Sequence, residues 1–175
     1  LMPGSRDSEI KQNLPVMIQG FKKFNVNKKY TALIPAYDNS AKKLVENFIE
    51  EESEIICHQK KSSDILKIAK AAVICSGTAT LEGLLAEVPT TIIYKTNWLN
   101  YWIYRSMMKT KYAGIPNILA GREIFNELIQ SKATKDSIAN DLENNLSNLD
   151  LKIKEMQEVK RNIIETDFSA FSNEI

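Results

Sequence analysis

Two short turns in this 175-residue chain carry the residue types that bind phosphate groups. One of them, S-G-T-A-T at residues 76–80, follows the apolar run 71–75 and precedes a predicted helix. Backbone N–H groups at a helix N-terminus favour anions, phosphate above all. Glu82 lies about one turn into that helix, where its carboxylate can accept hydrogen bonds from ribose hydroxyls. A phosphate turn followed by such an acid indicates a nucleotide-sugar site.

The other turn, P-G-S-R at residues 3–6, follows what reads as the end of a strand and precedes a helix. Ligands of open parallel sheets bind outside the carboxyl ends of the strands. Gly4 lets the backbone approach a phosphate, and Arg6 adds a planar, permanently charged group of donors. Taken alone, this turn favours an ordinary strand-to-helix connection with a solvated arginine. The presence of the turn at residues 76–80 as well favours an arrangement in which both turns bind one ligand.

Other polar residues carry weaker signals. Asn117 and Arg122 flank the tripeptide L-A-G, where asparagine as a turn former and arginine near a helix start are both common. An arginine close to a helix N-terminus nevertheless favours an anionic ligand. Lys95 follows the predicted strand 90–94, and a solvated lysine is the favoured interpretation. Local rules leave Glu82 open between a ribose contact and an acid that complements the helix dipole.

Composition argues against several classes of function. The net charge of +1 gives no overall field that would attract nucleic acid. His58 is the only histidine, so zinc sites and Ser/His or Cys/His catalysis have little to build on. Cys57 and Cys75 are predicted to be reduced, buried strand residues, which fits a cytosolic protein. No run reaches the roughly 18 apolar residues of a membrane span.

The elements that must position these residues alternate between strands and helices. After a strand remnant at 1–2, we predict strands at 30–35, 55–57, 71–75 and 90–94, and helices at about 8–24, 39–51, 62–68 and 79–87. Pro15 lies inside the first helix, where a proline can cause a kink, Asn39 can cap the second helix, and Ser62 or Ser63 can cap the third. Such alternation predicts an α/β fold, a Rossmann-like parallel sheet with helices on both faces.

The pattern changes after residue 94. Residues 95–111 contain two tryptophans, two tyrosines and four cations, but no aspartate or glutamate. They predict an aromatic helix at 98–108, for which core packing is favoured and contact with a membrane interface stays open. Residues 115–123 predict a loop entering another helix. Two polar helices, at about 134–148 and 151–168, close the chain.

Four ordered motifs resemble the lipid-A-disaccharide synthase family. The opening L-M-P-G-S-R-D-S-E-I is similar to the family's L-P-G-S-R-x-x-E-I, and S-G-T-A-T-L-E at 76–82 is similar to its core motif. Y-W-I at 101–103 and I-P-N-I-L-A-G-R-E at 115–123 match further signatures in the same order. The resemblance covers essentially the whole chain, although F-N-E-L stands at 125–128 where the family has a V-P-E-L-type segment.

The resemblance implies a two-domain GT-B glycosyltransferase that is inverting, metal-independent and without a cofactor. Such enzymes move 2,3-diacylglucosamine from UDP to 2,3-diacylglucosamine 1-phosphate and release lipid A disaccharide 1-phosphate and UDP. We expect residues 1–175 to be the single C-terminal, UDP-binding domain of a longer protein. The acceptor domain and the general base are then expected in an absent N-terminal half, on which helix 151–175 packs back. The implied location is cytoplasmic, at the inner membrane surface of a Gram-negative bacterium, with a homodimer left open.

These considerations give one set of expected substrate-binding residues: Gly4, Ser5, Arg6, Ser76, Gly77, Thr78, Ala79, Thr80, Glu82, Asn117 and Arg122. The expected partners are a UDP-sugar donor and an acylated glucosamine phosphate acceptor, with no nucleic acid. Two alternatives stay open, half of a UDP-sugar epimerase and a non-catalytic nucleotide-binding module. Titration with UDP tests the binding function, and a disaccharide product separates a transferase from an epimerase. The aromatic, basic segment favours a lipid substrate over a soluble sugar.

Overall fold

The computed structural model of the chain describes residues 1–49, 52–95 and 111–172, with side chains through residue 163. The helices are α1 (Asp7–Phe24), α2 (Asn39–Ile49), α3 (Ser62–Leu66), α4 (Thr78–Leu85), α5 (Ile115–Ala120), α6 (Lys135–Ser147) and α7 (Leu149–Ser172). The strands are β1 (Ala32–Pro35), β2 (Ile55–His58), β3 (Ala72–Cys75), β4 (Thr90–Tyr94) and β5 (Glu127–Ile129).

Residues 1–2 join two parallel groups of strands. β1 pairs with β2, whereas β3, β4 and β5 pair in that order. Between the groups, the Met2 amide donates to the Val73 carbonyl and its own carbonyl accepts from the Cys75 amide, both at 2.8 Å. On the other side, the Leu1 amino group donates to the Leu33 carbonyl at 2.8 Å. The strands therefore run in the order β2, β1, residues 1–2, β3, β4, β5.

Helices cover both faces of this sheet. Every residue of β3 is buried, as expected for a strand covered on both faces. Val73 and Ile93 pack on one face with side chains of α1 and α6, namely Met17, Ile138 and Leu142. Ile92 packs on the other face with side chains of α4 and α7, namely Leu84, Met156 and Val159. The predicted Rossmann-like α/β fold is confirmed.

The starts of two helices differ in detail from the sequence prediction, whereas α1 runs through Pro15 as one helix. The predicted cap at Asn39 is wrong, because α2 begins at Asn39 and the Ala41 amide donates instead to Asp38 Oδ1 at 2.7 Å. The serine caps predicted for α3 are also wrong, since Lys61 precedes its first turn and supplies no side-chain cap.

The stretch predicted as a loop entering a helix has the opposite order. Residues 115–120 form α5, which ends at Gly121 in the left-handed conformation, with φ +64°. A strand follows, because β5 pairs in parallel with β4 along residues 127–129. A three-residue edge strand has too few residues to show a period of two, so the sequence pattern did not reveal it.

The two closing helices are confirmed. Thr134 caps α6, its Oγ1 accepting from the Ser137 amide at 3.1 Å. The predicted aromatic helix at 98–108 lies outside the described residues. Among the helices that the structure describes, none is both long and apolar enough to cross a membrane.

Candidate functional site

A cleft of about 420 Å³ opens at the carboxyl ends of the strands, on either side of the point where strand order reverses. This is the place where open parallel sheets bind ligands, and the volume lies within the range of small-molecule sites. The structure brings most of the predicted residues to its wall, namely Gly4, Ser5, Arg6, Ser76, Gly77, Thr78, Ala79 and Glu82. Thr80, Asn117 and Arg122 are not among the lining residues.

The turn at residues 3–6 is held by Glu9 of α1. One oxygen of its carboxylate, Oε2, accepts from the Ser5 amide at 2.9 Å and from the Arg6 amide at 3.2 Å. Gly4 has a φ of +114°, and a Cβ at this position would overlap the Glu9 side chain. Glu9 thus occupies two backbone donors at the start of α1.

Arg6 is the charged group of this turn that lies open to the cleft. Its side chain is 79% exposed, and Nη1 makes a 2.7 Å ion pair with Glu9 Oε1. A guanidinium has five N–H donors, so most of its donors remain for an anion. The ion pair holds the side chain at the cleft wall without burying it.

The turn at residues 76–80 ends in the N-terminus of α4. Gly77 is the N-cap residue and supplies no side-chain cap, so Thr78 and Ala79 begin the helix without a side-chain acceptor. Thr80 is fully buried and its hydroxyl donates to the Gly77 carbonyl at 2.7 Å, which braces the turn from within. The Ser76 hydroxyl donates to the Ala113 carbonyl at 2.8 Å. The open donors therefore lie at residues 77–79.

Glu82 lines the cleft from the second turn of α4 and is half-buried. Its Oε2 accepts a hydrogen bond from the Ser62 hydroxyl, which holds the carboxylate in one orientation. The other oxygen is left as an acceptor for a ligand hydroxyl. A ribose with two neighbouring hydroxyls is the kind of group that such a carboxylate can bind.

Asn117 lies away from the cleft, and its amide is fully used. The side chain is completely buried; it donates to the Phe125 carbonyl at 2.7 Å and to Glu127 Oε1 at 2.8 Å. Its Oδ1 accepts from the amides of Ile124 and Phe125 at 2.9 and 3.0 Å. Glu127 also accepts from the amide of Gly114 at 2.9 Å. Asn117 thus joins α5 to the strand β5.

Arg122 lies in a second, smaller groove between α5 and α7, with a volume of about 240 Å³. Its guanidinium faces Glu155 at 3.8 Å and Glu158 at 3.7 Å. The predicted position of this arginine near a helix N-terminus is wrong, because Arg122 follows the C-terminus of α5. A cation after a helix C-terminus is electrostatically favourable, so its charge alone does not call for a ligand.

Comparison with known proteins assigns the family. The sequence model of the lipid-A-disaccharide synthetase family matches residues 1–173. This chain belongs to that family. The family predicted from the four motifs is thereby confirmed.

Named relatives are lipid-A-disaccharide synthases of bacteria. The chain is 32% identical to that of Acinetobacter baylyi over 171 residues, which cover 90% of this chain and 43% of the relative. It is 35% identical to that of Coxiella burnetii over 149 residues, 85% of this chain and 39% of the relative. It is 34% identical to that of Francisella tularensis over 146 residues, which cover 81% of this chain and 38% of the relative. The chain spans about two fifths of the length of these relatives.

Three further residues line the cleft and were not predicted from the sequence as site residues. Ser62, predicted as a helix cap, instead contacts Glu82, which lies 20 residues further along the chain. Tyr37, 65% exposed, and the exposed Lys60 line the same cleft from the loops after β1 and β2. The sequence signal that could have identified Tyr37 and Lys60 is their position in loops that follow strands, since ligands bind at the carboxyl ends of parallel strands.

Cys75 lies at the base of the cleft but is not a nucleophile. Burial, together with the smaller effect of the negative charge of Glu9, raises the pKa of its thiol to about 12, and the positive charge of Arg6 partly opposes this shift. The thiol is therefore protonated at neutral pH and unreactive. Among the residues that the structure describes, no cluster of three or more His, Cys, Asp or Glu residues is placed to hold a metal ion.

Proposed function

We propose that this chain is the UDP-binding half of an inverting glycosyltransferase. The donor is UDP-2,3-diacylglucosamine, the acceptor is 2,3-diacylglucosamine 1-phosphate, and the products are lipid A disaccharide 1-phosphate and UDP. The observation that carries the proposal is the convergence of Arg6, the α4 N-terminus and Glu82 on one cleft. The family and the names of the relatives support the choice of substrates.

Each group at the cleft has a separate role in this proposal. Arg6 and the N–H groups at residues 77–79 bind the diphosphate, and Gly4 and Ser5 let the diphosphate approach the turn at residues 3–6. Glu82 accepts from the ribose hydroxyls in the orientation that Ser62 sets. Thr80 and Asn117 support backbone that carries the site, whereas the contacts of Arg122 support a role in attaching α7.

In the proposed reaction, a hydroxyl of the acceptor attacks C1 of the donor sugar on the face opposite the diphosphate. The bond between C1 and the phosphate oxygen breaks, its electron pair leaves with UDP, and the hydroxyl proton passes to a general base. The chain contributes stabilisation of the charge that grows on the leaving diphosphate, through Arg6 and the α4 N-terminus. We place the general base in the part of the enzyme that this chain does not contain.

The setting of the complete enzyme belongs to the same proposal. A second Rossmann-like domain completes the GT-B architecture and carries the acceptor site, and the far part of α7 packs against it. The enzyme lies at the cytoplasmic surface of the inner membrane of a Gram-negative bacterium. The basic, aromatic composition of residues 95–111 and the acylated substrates support this location.

Calorimetry with UDP tests the proposal on this chain. We expect UDP to bind with modest affinity, because closure against the second domain cannot contribute. We expect no disaccharide from the chain alone. Absence of UDP binding at millimolar ligand, or disaccharide formation by the chain alone, would contradict the proposal.

Product analysis of the complete protein separates the transferase from the alternatives. A disaccharide 1-phosphate released together with UDP supports the transferase. An epimerised UDP-sugar would instead identify half of an epimerase, and UDP binding without any product would identify a binding module.

A further inference from the structure

A buried amide contacts the bases of both phosphate turns. Asn13 of α1 has no exposed surface. Its Nδ2 donates to the Pro3 carbonyl at 3.2 Å and lies 3.5 Å from the sulfur of Cys75. The same nitrogen donates to the Glu9 carbonyl at 3.0 Å, and Oδ1 accepts from the Lys95 amide at 3.1 Å.

These contacts lie at the carboxyl ends of three neighbouring strands. Pro3 directly precedes Gly4 of the first turn, and Cys75 directly precedes Ser76 of the second. Lys95 follows the last residue of β4. Burial of an amide costs free energy unless it is hydrogen-bonded, and here each polar atom of the side chain has a partner.

From this geometry we infer that Asn13 is a positioning residue that sets the separation of the two phosphate turns. The inference rests on the proposed function, because it assigns Asn13 a role in binding the diphosphate of UDP. The hydrogen bonds between residues 1–2 and β3 end where the Cys75 amide meets the Met2 carbonyl. Among the described residues no backbone hydrogen bond joins the two segments beyond that point, and the Asn13 side chain contacts both.

Only a ligand that contacts both turns depends on their separation. The diphosphate is to be bound by Arg6 on one turn and by residues 77–79 on the other. Uridine is to be bound by Glu82 of α4, on the side of the second turn. In catalysis, a misplacement of about 1 Å can cost up to about a hundredfold in rate. Contacts to a diphosphate held between two turns depend on geometry in the same way, so UDP should lose far more affinity than uridine.

The test compares Asn13→Ala with Asn145→Ala in this chain. Asn145 is also a buried helical amide, but it contacts Thr91 on β4 and Asp141 on α6 rather than the turns. The affinities for UDP and uridine are measured by calorimetry and NMR titration, and stability by thermal unfolding. We expect both variants to lose stability. Only Asn13→Ala should lose UDP affinity, by about tenfold or more, with the affinity for uridine changed by less than about twofold.

Two results separate this inference from the proposed function. A wild-type chain that does not bind UDP overturns both. A wild-type chain that binds UDP, together with an unchanged ratio of UDP to uridine affinity in Asn13→Ala, overturns the inference alone.

A measurement on the unmutated chain keeps the test decisive if Asn13→Ala does not fold. The side-chain amide resonance of Asn13 should shift when UDP binds and stay nearly fixed with uridine. The amide of Asn145 serves as the internal control. If UDP shifts the backbone amide resonances of residues 77–79 but leaves the Asn13 resonance unchanged, the inference is overturned.

Discussion

At the scale of single residues, Arg6 and Glu82 are held at the cleft in different ways. Arg6 is exposed, and one ion pair with Glu9 holds it. Glu82 is half-buried and is oriented by Ser62. Their chemistry is complementary, since one is a donor for phosphate oxygens and the other an acceptor for hydroxyl groups. Separate substitutions should therefore affect separate parts of the ligand.

Arg6→Ala should weaken UDP binding through the diphosphate. The change removes a charge-assisted contact that is worth roughly 1.5–3 kcal/mol once the ligand covers it. Stability should hardly change, because an exposed ion pair contributes about 0–1 kcal/mol. Calorimetry with UDP and uridine checks this, with Arg161→Ala, an exposed arginine of α7, as the control. Equal losses for UDP and uridine would show that Arg6 does not contact phosphate.

Glu82→Gln should weaken UDP binding through the ribose. A carboxylate accepts through both oxygens, whereas the amide keeps a single oxygen acceptor. Ser62→Ala is the matched partner variant: it keeps the carboxylate but frees its orientation, and should cost less, about 0.5–1.5 kcal/mol. The measurement compares UDP with pyrophosphate. If Glu82→Gln lowers the affinity for pyrophosphate as much as that for UDP, Glu82 acts on the helix dipole and not on the ribose.

At the scale of elements, buried and exposed polar contacts attach the last third of the chain. Asn117 makes four hydrogen bonds, one to Glu127 of β5 and three to Ile124 and Phe125 just before it, and so holds α5 against this segment. Lys160 joins α7 to the end of α4. Behind these contacts lies an apolar cluster that contains Phe125, Met156 and Val159. Apolar faces can pack in several relative positions, so the polar contacts determine how these elements are placed against each other.

Asn117→Ala should destabilise the fold more than it weakens UDP binding. It leaves buried backbone groups of Ile124 and Phe125 without partners, at roughly 1–3 kcal/mol for each unpaired group. Urea unfolding and UDP calorimetry measure the two effects. Asn148→Ala, at an exposed asparagine that ends α6, is the control. If the Asn117→Ala variant has normal stability but no longer binds UDP, Asn117 contacts the ligand directly.

The contact between Lys160 and Glu87 should stabilise the chain in a pH-dependent way. The hydrogen bond from Lys160, with a second from Gln157, lowers the pKa of Glu87 below the ordinary value of 4.5. A lowered pKa in the folded state means that the stabilisation is present above the ordinary value. It is lost as pH falls through the lowered value.

Lys160→Met tests that contact, because it keeps most of the aliphatic stem and removes the charge. Near neutral pH the variant should have a lower urea midpoint than the wild type, and the two midpoints should converge as pH falls through the lowered pKa of Glu87. Lys154→Met, at an exposed position of α7, should follow the wild type at every pH. A difference between Lys160→Met and the wild type that persists in acid would show that the contribution is packing rather than charge.

At the scale of the whole molecule, the cleft depends on the order of the strands. Residues 1–2 lie in the middle of the sheet, so the first turn faces the second across the point where strand order reverses. The chain covers about two fifths of its relatives, and the proposed acceptor domain lies outside it. Lipid binding by the complete enzyme is therefore a property to test at this scale.

The complete enzyme should bind anionic membranes through Lys109 and Lys111. Each cation near an anionic surface contributes about 1 kcal/mol, and salt should weaken the attraction. The double substitution Lys109→Glu and Lys111→Glu should leave folding intact and abolish sedimentation with phosphatidylglycerol vesicles at low salt. The same changes at Lys42 and Lys43 on α2 are the control. Unchanged sedimentation and unchanged activity on lipid substrate would assign residues 95–111 to the core.

Local patterns were sufficient for much of this protein. The alternation of strands and helices through residue 94 and the turns at residues 3–6 and 76–80 were predicted, because each depends on apolar runs and small residues that are neighbours in the chain. Most of the cleft residues followed from this, since the carboxyl ends of parallel strands necessarily share one edge of the sheet. The family followed from motif order, which is also a property of the sequence alone.

Only the tertiary structure decided which polar groups meet. Ser62 contacts Glu82 across 20 residues, and Asn13 contacts Cys75 across 62. The strand β5 and the buried clamp of Asn117 likewise depend on pairing with β4 and on contacts between separate elements. A side-chain hydrogen bond between distant residues leaves no local pattern in the sequence. Its partner is determined by how the helices pack on the sheet. The sequence therefore determined the elements and the chemical groups, whereas packing determined which groups reach the cleft and which hold it in place.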